Sequence, residues 1–188
     1  MSITSKEQLI GLVNQGNEVD YVFFWGHNTD SSEVSKSCLS QWYEASFVVS
    51  GQTFLTAEHY MMYQKAKLFG DDSACRAVLQ ANSPSDAKAI GRRVKNFDTK
   101  IWDEHSVEIV INANIAKFSQ NPKLGVFLLN TKDSTLVEAS PVDMIWGIGL
   151  AQDHPAARDP NQWRGRNLLG FALMIVRERL RGRGENMF

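Results

Sequence analysis

Apolar residues recur at helical spacing over most of this chain and at strand spacing over a small part of it. Leu9–Val13 is a short apolar stretch in an otherwise polar N-terminus and predicts a terminal helix. Tyr21–Trp25 is aromatic and β-branched, is bounded by Gly26, and reads as a strand. Asn28–Ser40 is polar and serine-rich, so it reads as a loop. Ala45–Val49 alternates as a second strand, and Ser50-Gly51-Gln52 turns it into a short Thr53–Leu55 strand. Thr56 then caps a helix over Ala57–Phe69, and Ser73 caps another that reaches Ala81. In Ser83-Pro84-Ser85-Asp86 the serine is a cap, the proline sits in the first turn and the aspartate reaches back, which starts a helix to Val94. The longest helix spans Ile101–Ser119. Its stripe of Val107, Val110, Ile111 and Phe118 follows the 3.6 period, with Asn114 as a polar intruder. Asn121-Pro122 opens a helix to Asn130, Thr135–Glu138 is a short strand, and Leu168–Leu180 closes the chain as a helix with Leu169, Leu173 and Val176 inward. Pro141–Gln162 is rich in Gly, Pro, Asp and Trp, and a segment that long without an element is usually functional. The pattern predicts a fold that is mainly α with a small β component, a single compact helical domain with a sheet of three or four short strands.

Charge and composition narrow the partners. The 188 residues carry 20 basic and 21 acidic side chains, a net charge of -1, which argues against a broad basic face for nucleic acid. A small anionic ligand held by a few local groups remains compatible with that balance. Cys38 and Cys75 lie far apart without a CxxC, and Met1–Gln15 lacks the pattern of a secretory signal, so both are expected to be reduced thiols of a cytoplasmic protein. No apolar run approaches the roughly 20 residues needed to span a bilayer, so no membrane partner is expected.

Candidate chemistry begins with absences. There is no GxSxG, HExxH, P-loop or zinc spacing, and His27, His59, His105 and His154 show no ligand pairing. No metal or cofactor is therefore expected, and Gly147-Ile148-Gly149 alone is a poor dinucleotide fingerprint. Glu58, Met62, Lys65 and Phe69 stand at i, i+4, i+7 and i+11 and share one helix face. Glu58 and Lys65 are two turns apart, roughly 10 Å along the axis, and both are long enough to converge on one group. The same spacing also suits an acidic first-turn residue favoured by the helix dipole and a solvated amine. Glu138, Asp143, Trp146, Gly147 and Gly149 form a second constellation. It reads either as a loop closing on a planar ring and an anionic group, or as a turn-rich loop whose Trp146 plugs the core edge. Gly165-Arg166-Asn167-Leu168-Leu169-Gly170 opens the last helix, where free N–H groups beside an arginine suit phosphate, although Asn167 also suits an ordinary cap. Gly91-Arg92-Arg93 offers a second phosphate contact or a solvated pair, and Arg177, Arg179, Arg181 and Arg183 read as a solvated helix-terminal run.

Taken in order, these residues resemble a known family. Thr56-Ala57-Glu58-His59-Tyr60 with Gln64-Lys65-Ala66 is similar to the signature block of the NADAR, or YbiA-like, family. Gly91-Arg92, Trp102, Lys117-Phe118, Leu128-Leu129 with Thr131, Leu136-Val137-Glu138, Asp143 with Trp146-Gly147 and Gly149, Gly165 with Asn167 and Leu169-Gly170, and Leu173-Met174 with Arg177 resemble its later blocks. Phe23-Phe24-Trp25 and Leu39-Ser40-Gln41-Trp42 resemble its early ones. Met61-Met62 and Gln41-Trp42 depart from the family's usual residues. The resemblance implies a YbiA-like domain over 21–182, with an N-terminal extension at 1–20 and a tail at 183–188.

It also implies an N-glycosidase that cuts a ribose–base bond. The implied substrate is ADP-ribose on guanine, in nucleotides or in modified DNA or RNA, or else a ribosylamino pyrimidine intermediate of riboflavin synthesis. Lys65 would form an imine with the anomeric carbon, Glu58 would shuttle protons and activate water, and Asp143 would orient Lys65 or bind a ribose hydroxyl. Trp146 and either Trp25 or Phe24 would stack on the base or the adenine. Arg92, Gly147, Gly149, Asn167 and Gly170 would hold phosphate, with Gly26, His59, Trp102 and Glu138 completing substrate binding. The mechanistic rival is a two-carboxylate glycosidase built on Glu58 and Asp143. The rival of another class is a module that binds ADP-ribose without cutting it, which has no need of an acid–amine pair.

Overall fold

The computed structural model describes residues 3–26 and 33–185; His27, the start of the expected 28–40 loop and the last three residues of the tail lie outside the described residues. Seven α-helices and four short strands are described, so the architecture is mainly α with a small β component. Residue contacts gather in two units, one built from residues 41–122 and the other from 1–40 together with 123–188.

In the 41–122 unit, strands β2 (Phe47–Val49) and β3 (Gln52–Phe54) pair antiparallel, Phe47 opposite Phe54 and Val49 opposite Gln52. Ser50 and Gly51 connect them at φ 51° and 78°, both positive, as a two-residue turn matched to strand twist requires. Helices α2 (Ala57–Leu68), α3 (Asp72–Gln80), α4 (Pro84–Gly91) and α5 (Thr99–Gln120) follow, and α2 packs against the other three. With neighbours around it, α2 buries the whole run Ala57–Met62 rather than a single stripe. Phe47, Phe54, Ala57, Tyr60, Ala113 and Ala116 form one core cluster, and Ala66, Phe69, Ala74, Cys75 and Val94 another. Gly91 lets α4 approach α2, since a Cβ there would lie 2.0 Å from the Met62 sulfur. The cap of α3 is Asp71, not the expected Ser73: its Oδ1 accepts from the Ala74 N–H at 3.0 Å while its Oδ2 accepts from the Lys95 N–H at 3.0 Å. A carboxylate that ties two segments together displaces the weaker serine cap. Helix α4 stops at Gly91, short of Val94, and Asp98 caps α5 by accepting from the Ile101 N–H.

In the other unit, α1 (Lys6–Asn14) is capped by Ser5, and Lys6 Nζ donates to the Trp163 carbonyl at 2.6 Å. Strand β1 (Tyr21–Phe24) pairs parallel with β4 (Thr135–Glu138), Tyr21 opposite Thr135 and Phe24 opposite Glu138. The expected single sheet is therefore two separate two-stranded sheets, because β2 and β3 close on each other as a hairpin. Helix α6 spans Pro122–Asn130, and α7 runs from Leu168 past Leu180 to Glu185 and packs on β4. Arg177 is not part of a solvated run. It is 3% exposed, and its Nη1 donates to Thr131 Oγ1 at 2.8 Å and to the Ser134 carbonyl at 2.9 Å, tying α7 to the turn that follows α6. The long Pro141–Gln162 segment holds two short 3-10 turns, Pro155–Arg158 and Pro160–Gln162.

Candidate active site

Helix α2 positions the first constellation. Thr56 accepts from the His59 N–H, its hydroxyl lies 2.8 Å from His59 Nδ1, and His59 Nε2 lies 3.1 Å from the Ala81 carbonyl. The carbonyl can only accept, so Nε2 carries the proton and Nδ1 takes the threonine hydroxyl hydrogen. Both imidazole nitrogens are engaged inside the protein, and burial lowers the pKa of the ring. The geometry gives His59 the work of fixing the start of α2. A pocket of about 180 Å³, lined by Glu44, Ser46, Leu55, Thr56, His59, Asn82 and Pro84, opens beside this cap.

Glu58 is 5% exposed, so the bland picture of a solvated first-turn acid does not hold. Two turns on, burial depresses the Lys65 amine pKa while the Glu58 charge pushes it back up. The amine lies 4.1 Å from the centre of the Phe97 ring and 5.4 Å from that of Trp102. Trp102, expected at the site from the family resemblance, is thus brought to Lys65. Phe97 was not foreseen. It sits in a loop with no periodicity, and its proximity arises only once α5 turns back along α2.

A buried polar cluster adjoins Glu58. The Glu58 N–H donates to the Gln41 carbonyl at 3.0 Å, and Asn114 Nδ2 donates to Gln41 Oε1 at 2.7 Å and to the Val110 carbonyl at 2.9 Å. Gln41 Nε2 and Asn114 Oδ1 have no protein partner. One turn along α5, Lys117 is fully buried, with its amine 5.6 Å from the Tyr43 ring centre and 5.1 Å from that of Phe118. Asn114, the polar intruder on the α5 stripe, was the sequence signal for this cluster. Of the two departures from the family, Gln41 belongs to it and Met62 packs on Gly91.

In the other unit the second and third constellations are one piece of scaffold. Asp143 Oδ1 accepts from the Ile145 and Trp146 N–H groups at 2.9 and 2.8 Å, which shapes the loop. The Arg166, Asn167, Leu168 and Leu169 N–H groups donate to the carbonyls of Met144, Gly147, Ile145 and Trp146. The donors expected to be open for phosphate at the start of α7 are therefore taken up by this loop. Asn167, at φ 55° and fully buried, bridges to β4, its Nδ2 donating to the Leu136 carbonyl and its Oδ1 accepting from the Glu138 N–H, both at 2.9 Å. The glycines permit close packing here. Added Cβ atoms would meet the Glu138 carbonyl at 2.8 Å from Gly147, Arg164 Cβ at 2.9 Å from Gly149, and the Leu136 carbonyl at 2.0 Å from Gly170. Phe24 is buried at 1% exposure, whereas Trp25, followed by Gly26 at φ 82°, is 59% exposed and presents a free aromatic face. Trp146 and Glu138 are half-buried, and Arg92 is exposed.

Among the described residues no helix is long and apolar enough to cross a membrane, and no group of three or more His, Cys, Asp or Glu is placed to hold a metal ion.

Comparison with known proteins places this geometry in context. The NADAR domain family model matches residues 23–181. N-glycosidase R617 of Acanthamoeba polyphaga mimivirus is 44% identical over 163 residues, which is 84% of this chain and 95% of that protein. N-glycosidase YbiA of Escherichia coli (strain K12) is 33% identical over 132 residues, 70% of this chain and 74% of that protein. The chloroplastic riboflavin biosynthesis protein PYRR of Zea mays is 37% identical over 139 residues, covering 69% of this chain and only 20% of PYRR. The NMR structure of E. coli YbiA aligns with a TM-score of 0.72 at 26% identity, covering 92% of this chain and 91% of that one.

Proposed function

We propose, for a chain that belongs to the NADAR family and is an N-glycosyl hydrolase like its named relatives, that the bond it cuts joins ADP-ribose to guanine and that Lys65 is the nucleophile. The observation that carries this reading is the acid–amine pair on α2: a buried Glu58 whose charge reaches a Lys65 amine that burial already biases toward the neutral form. A neutral amine attacks carbon, and a reader of ADP-ribose needs no such pair.

In the reaction the Lys65 ammonium first passes a proton to the Glu58 carboxylate, the neutral Nζ then bonds to C1 as the C1–N bond to the base breaks, and the base leaves with the proton now held by Glu58. The attacking nitrogen gives a proton back to that carboxylate. Its lone pair then opens the furanose ring by breaking the C1–O4 bond, the ring oxygen takes the proton, and a protonated Schiff base results. Water, deprotonated by Glu58, adds to C1, the amine departs with that proton, and O4 recloses the ring on C1 to release ADP-ribose. The net change is one water consumed and one glycosidic bond cut. Asp143 carries no step here because its Oδ1 holds the loop. Exposed Arg92, in the same unit as Glu58 and Lys65, supplies a cation for phosphate.

The test is incubation with ADP-ribosyl-guanosine and with an oligonucleotide carrying that group, assayed for released ADP-ribose, and repeated with borohydride followed by peptide mapping. Release together with a reduced adduct on Lys65 is the expected result. An adduct on Lys117 would move the chemistry to the other buried amine. No adduct, with activity retained by Lys65→Ala, would leave the two-carboxylate route. The match to PYRR supports a second reading, hydrolysis of a ribosylamino pyrimidine phosphate. Turnover of that compound without release from guanine would establish it.

A further inference from the structure

We infer that Phe97 and Trp102 form an aromatic cradle that stabilises the positive charge at Lys65 Nζ and C1 when the amine is covalently joined to the sugar. The inference rests on the reading of Lys65 as nucleophile and adds to it a source of catalysis that no carboxylate provides. The amine already lies over both rings, at 4.1 Å from the centre of Phe97 and 5.4 Å from that of Trp102. These are distances at which a ring quadrupole attracts a cation.

The loop that carries Phe97 is built to hold it there. Its near end is fastened by the Lys95 N–H on Asp71 Oδ2 at 3.0 Å, and its far end by the Ile101 N–H on Asp98 Oδ1 at 3.0 Å. Between them Asn96 adopts φ 54°, a left-handed conformation that asparagine tolerates. Phe69, one turn beyond Lys65 at the C-cap of α2, packs edge-on to Phe97 with centroids 5.3 Å apart at 65°. Phe97 is nonetheless 44% exposed, so the core does not account for its position.

Ring faces suit this chemistry because they take no proton and favour the resting ammonium less strongly than a carboxylate would, while still attracting the cation formed after attack. A carboxylate in their place would hold the resting amine as ammonium and block attack. The rings act most strongly after attack, when nitrogen or C1 carries a positive charge that can no longer be shed as a proton. The covalent step is the one already balanced: Nζ–C1 forms, the C1–base and C1–O4 bonds break, and the positive charge of the Schiff base rests on N=C1 over the rings.

Fluorination tests this without changing shape. Phe97 is replaced by its monofluoro, difluoro and trifluoro analogues, which weaken the ring quadrupole in steps. For each, kcat, KM and the yield of borohydride-trapped adduct are measured, with thermal melting as the check on folding. A stepwise fall in kcat of about 5- to 30-fold across the series is expected. KM should change less than about 2-fold, and adduct yield should fall in parallel. Trp102→Leu should cost less than Phe97→Leu because its ring is farther away. A flat series with normal adduct yield overturns the cradle and leaves Lys65 as nucleophile. No reducible adduct in the unaltered protein overturns the nucleophile reading and the cradle with it.

Discussion

Gly170→Ala separates packing from propensity, because the two predict opposite signs. In a helix with open space around it, glycine to alanine gains roughly 0.5–1 kcal/mol through backbone entropy. At Gly170 the new Cβ would stand 2.0 Å from the Leu136 carbonyl oxygen, 2.5 Å from Asn167 Nδ2 and 2.7 Å from Asn167 Oδ1. A tolerable C···O contact is about 3.3 Å, so α7 must retreat from β4 by about 1.3 Å or the Asn167 amide must leave. Retreat breaks the pair of bonds from Asn167 to Leu136 and Glu138. They contribute about 0.5–1.5 kcal/mol each, and overpacking adds about 1–3 kcal/mol. After subtracting the propensity gain, a loss of about 2–5 kcal/mol is expected. At roughly 2–4 °C per kcal/mol for a chain of this size, melting should fall by about 10 °C. Urea titration and calorimetry of Gly170→Ala measure it, beside Gly182→Ala, whose Cβ would meet nothing within 4 Å on the same helix and which should gain about 0.5–1 kcal/mol. If Gly170→Ala is as stable as the parent, the close approach of α7 to β4 is not what that glycine serves.

Lys65→Arg keeps the charge and removes the nucleophile, so activity should fall on the order of 10³-fold or more and the reducible adduct should vanish; retention of most activity would make Lys65 a phosphate ligand. His59 is held below its ordinary pKa of 6.5 by burial, so the stability it contributes is fully present above pH 6.5 and is lost as pH falls through the lower folded value. Urea midpoints at pH 7.5, 6.5 and 5.5 should therefore decline on acidification, and His59→Asn should flatten that slope; an unchanged slope would mean the imidazole stays accessible. Arg177→Met removes the bonds to Thr131 and Ser134 from a side chain 3% exposed and should cost about 2–4 kcal/mol in urea unfolding, whereas a member of a solvated arginine run would cost under about 0.5 kcal/mol.

The elements were legible where local chemistry decides them. Thr56, Ser83 and Pro84 marked α2 and α4 because caps and first-turn prolines act within a few residues. Tyr21–Phe24 and Thr135–Glu138 were both readable as strands for the same reason, whereas their parallel pairing was not, since periodicity says nothing about pairing across a long stretch of chain. Asp71 displaced Ser73 as a cap because its second oxygen serves Lys95, twenty-four positions away, a demand invisible in a local window. Gly147, Gly149, Asn167 and Gly170 show the same limit from the functional side. Glycine and asparagine near a helix start look alike whether they admit a phosphate or a packing neighbour, and here the carbonyls of Leu136, Glu138, Ile145, Trp146 and Gly147, with the Arg164 side chain against Gly149, fill those places.

The acid–amine pair stands on the other side of that limit. Helical spacing put Glu58 and Lys65 on one face, and it held because α2 is regular between them. Spacing could not say whether that face meets water. Burial of Glu58, the rings of Phe97 and Trp102 over the amine, and the amide pair of Gln41 and Asn114 against the backbone of Glu58 decide it, and each comes from a different part of the chain. A lysine biased toward its neutral form by burial still needs charge stabilisation once it has reacted, and a carboxylate placed close enough to give it would undo the bias. Two ring faces beside the amine and one acid two turns away satisfy both demands. The protein thus keeps its proton carrier and its charge stabiliser on separate residues.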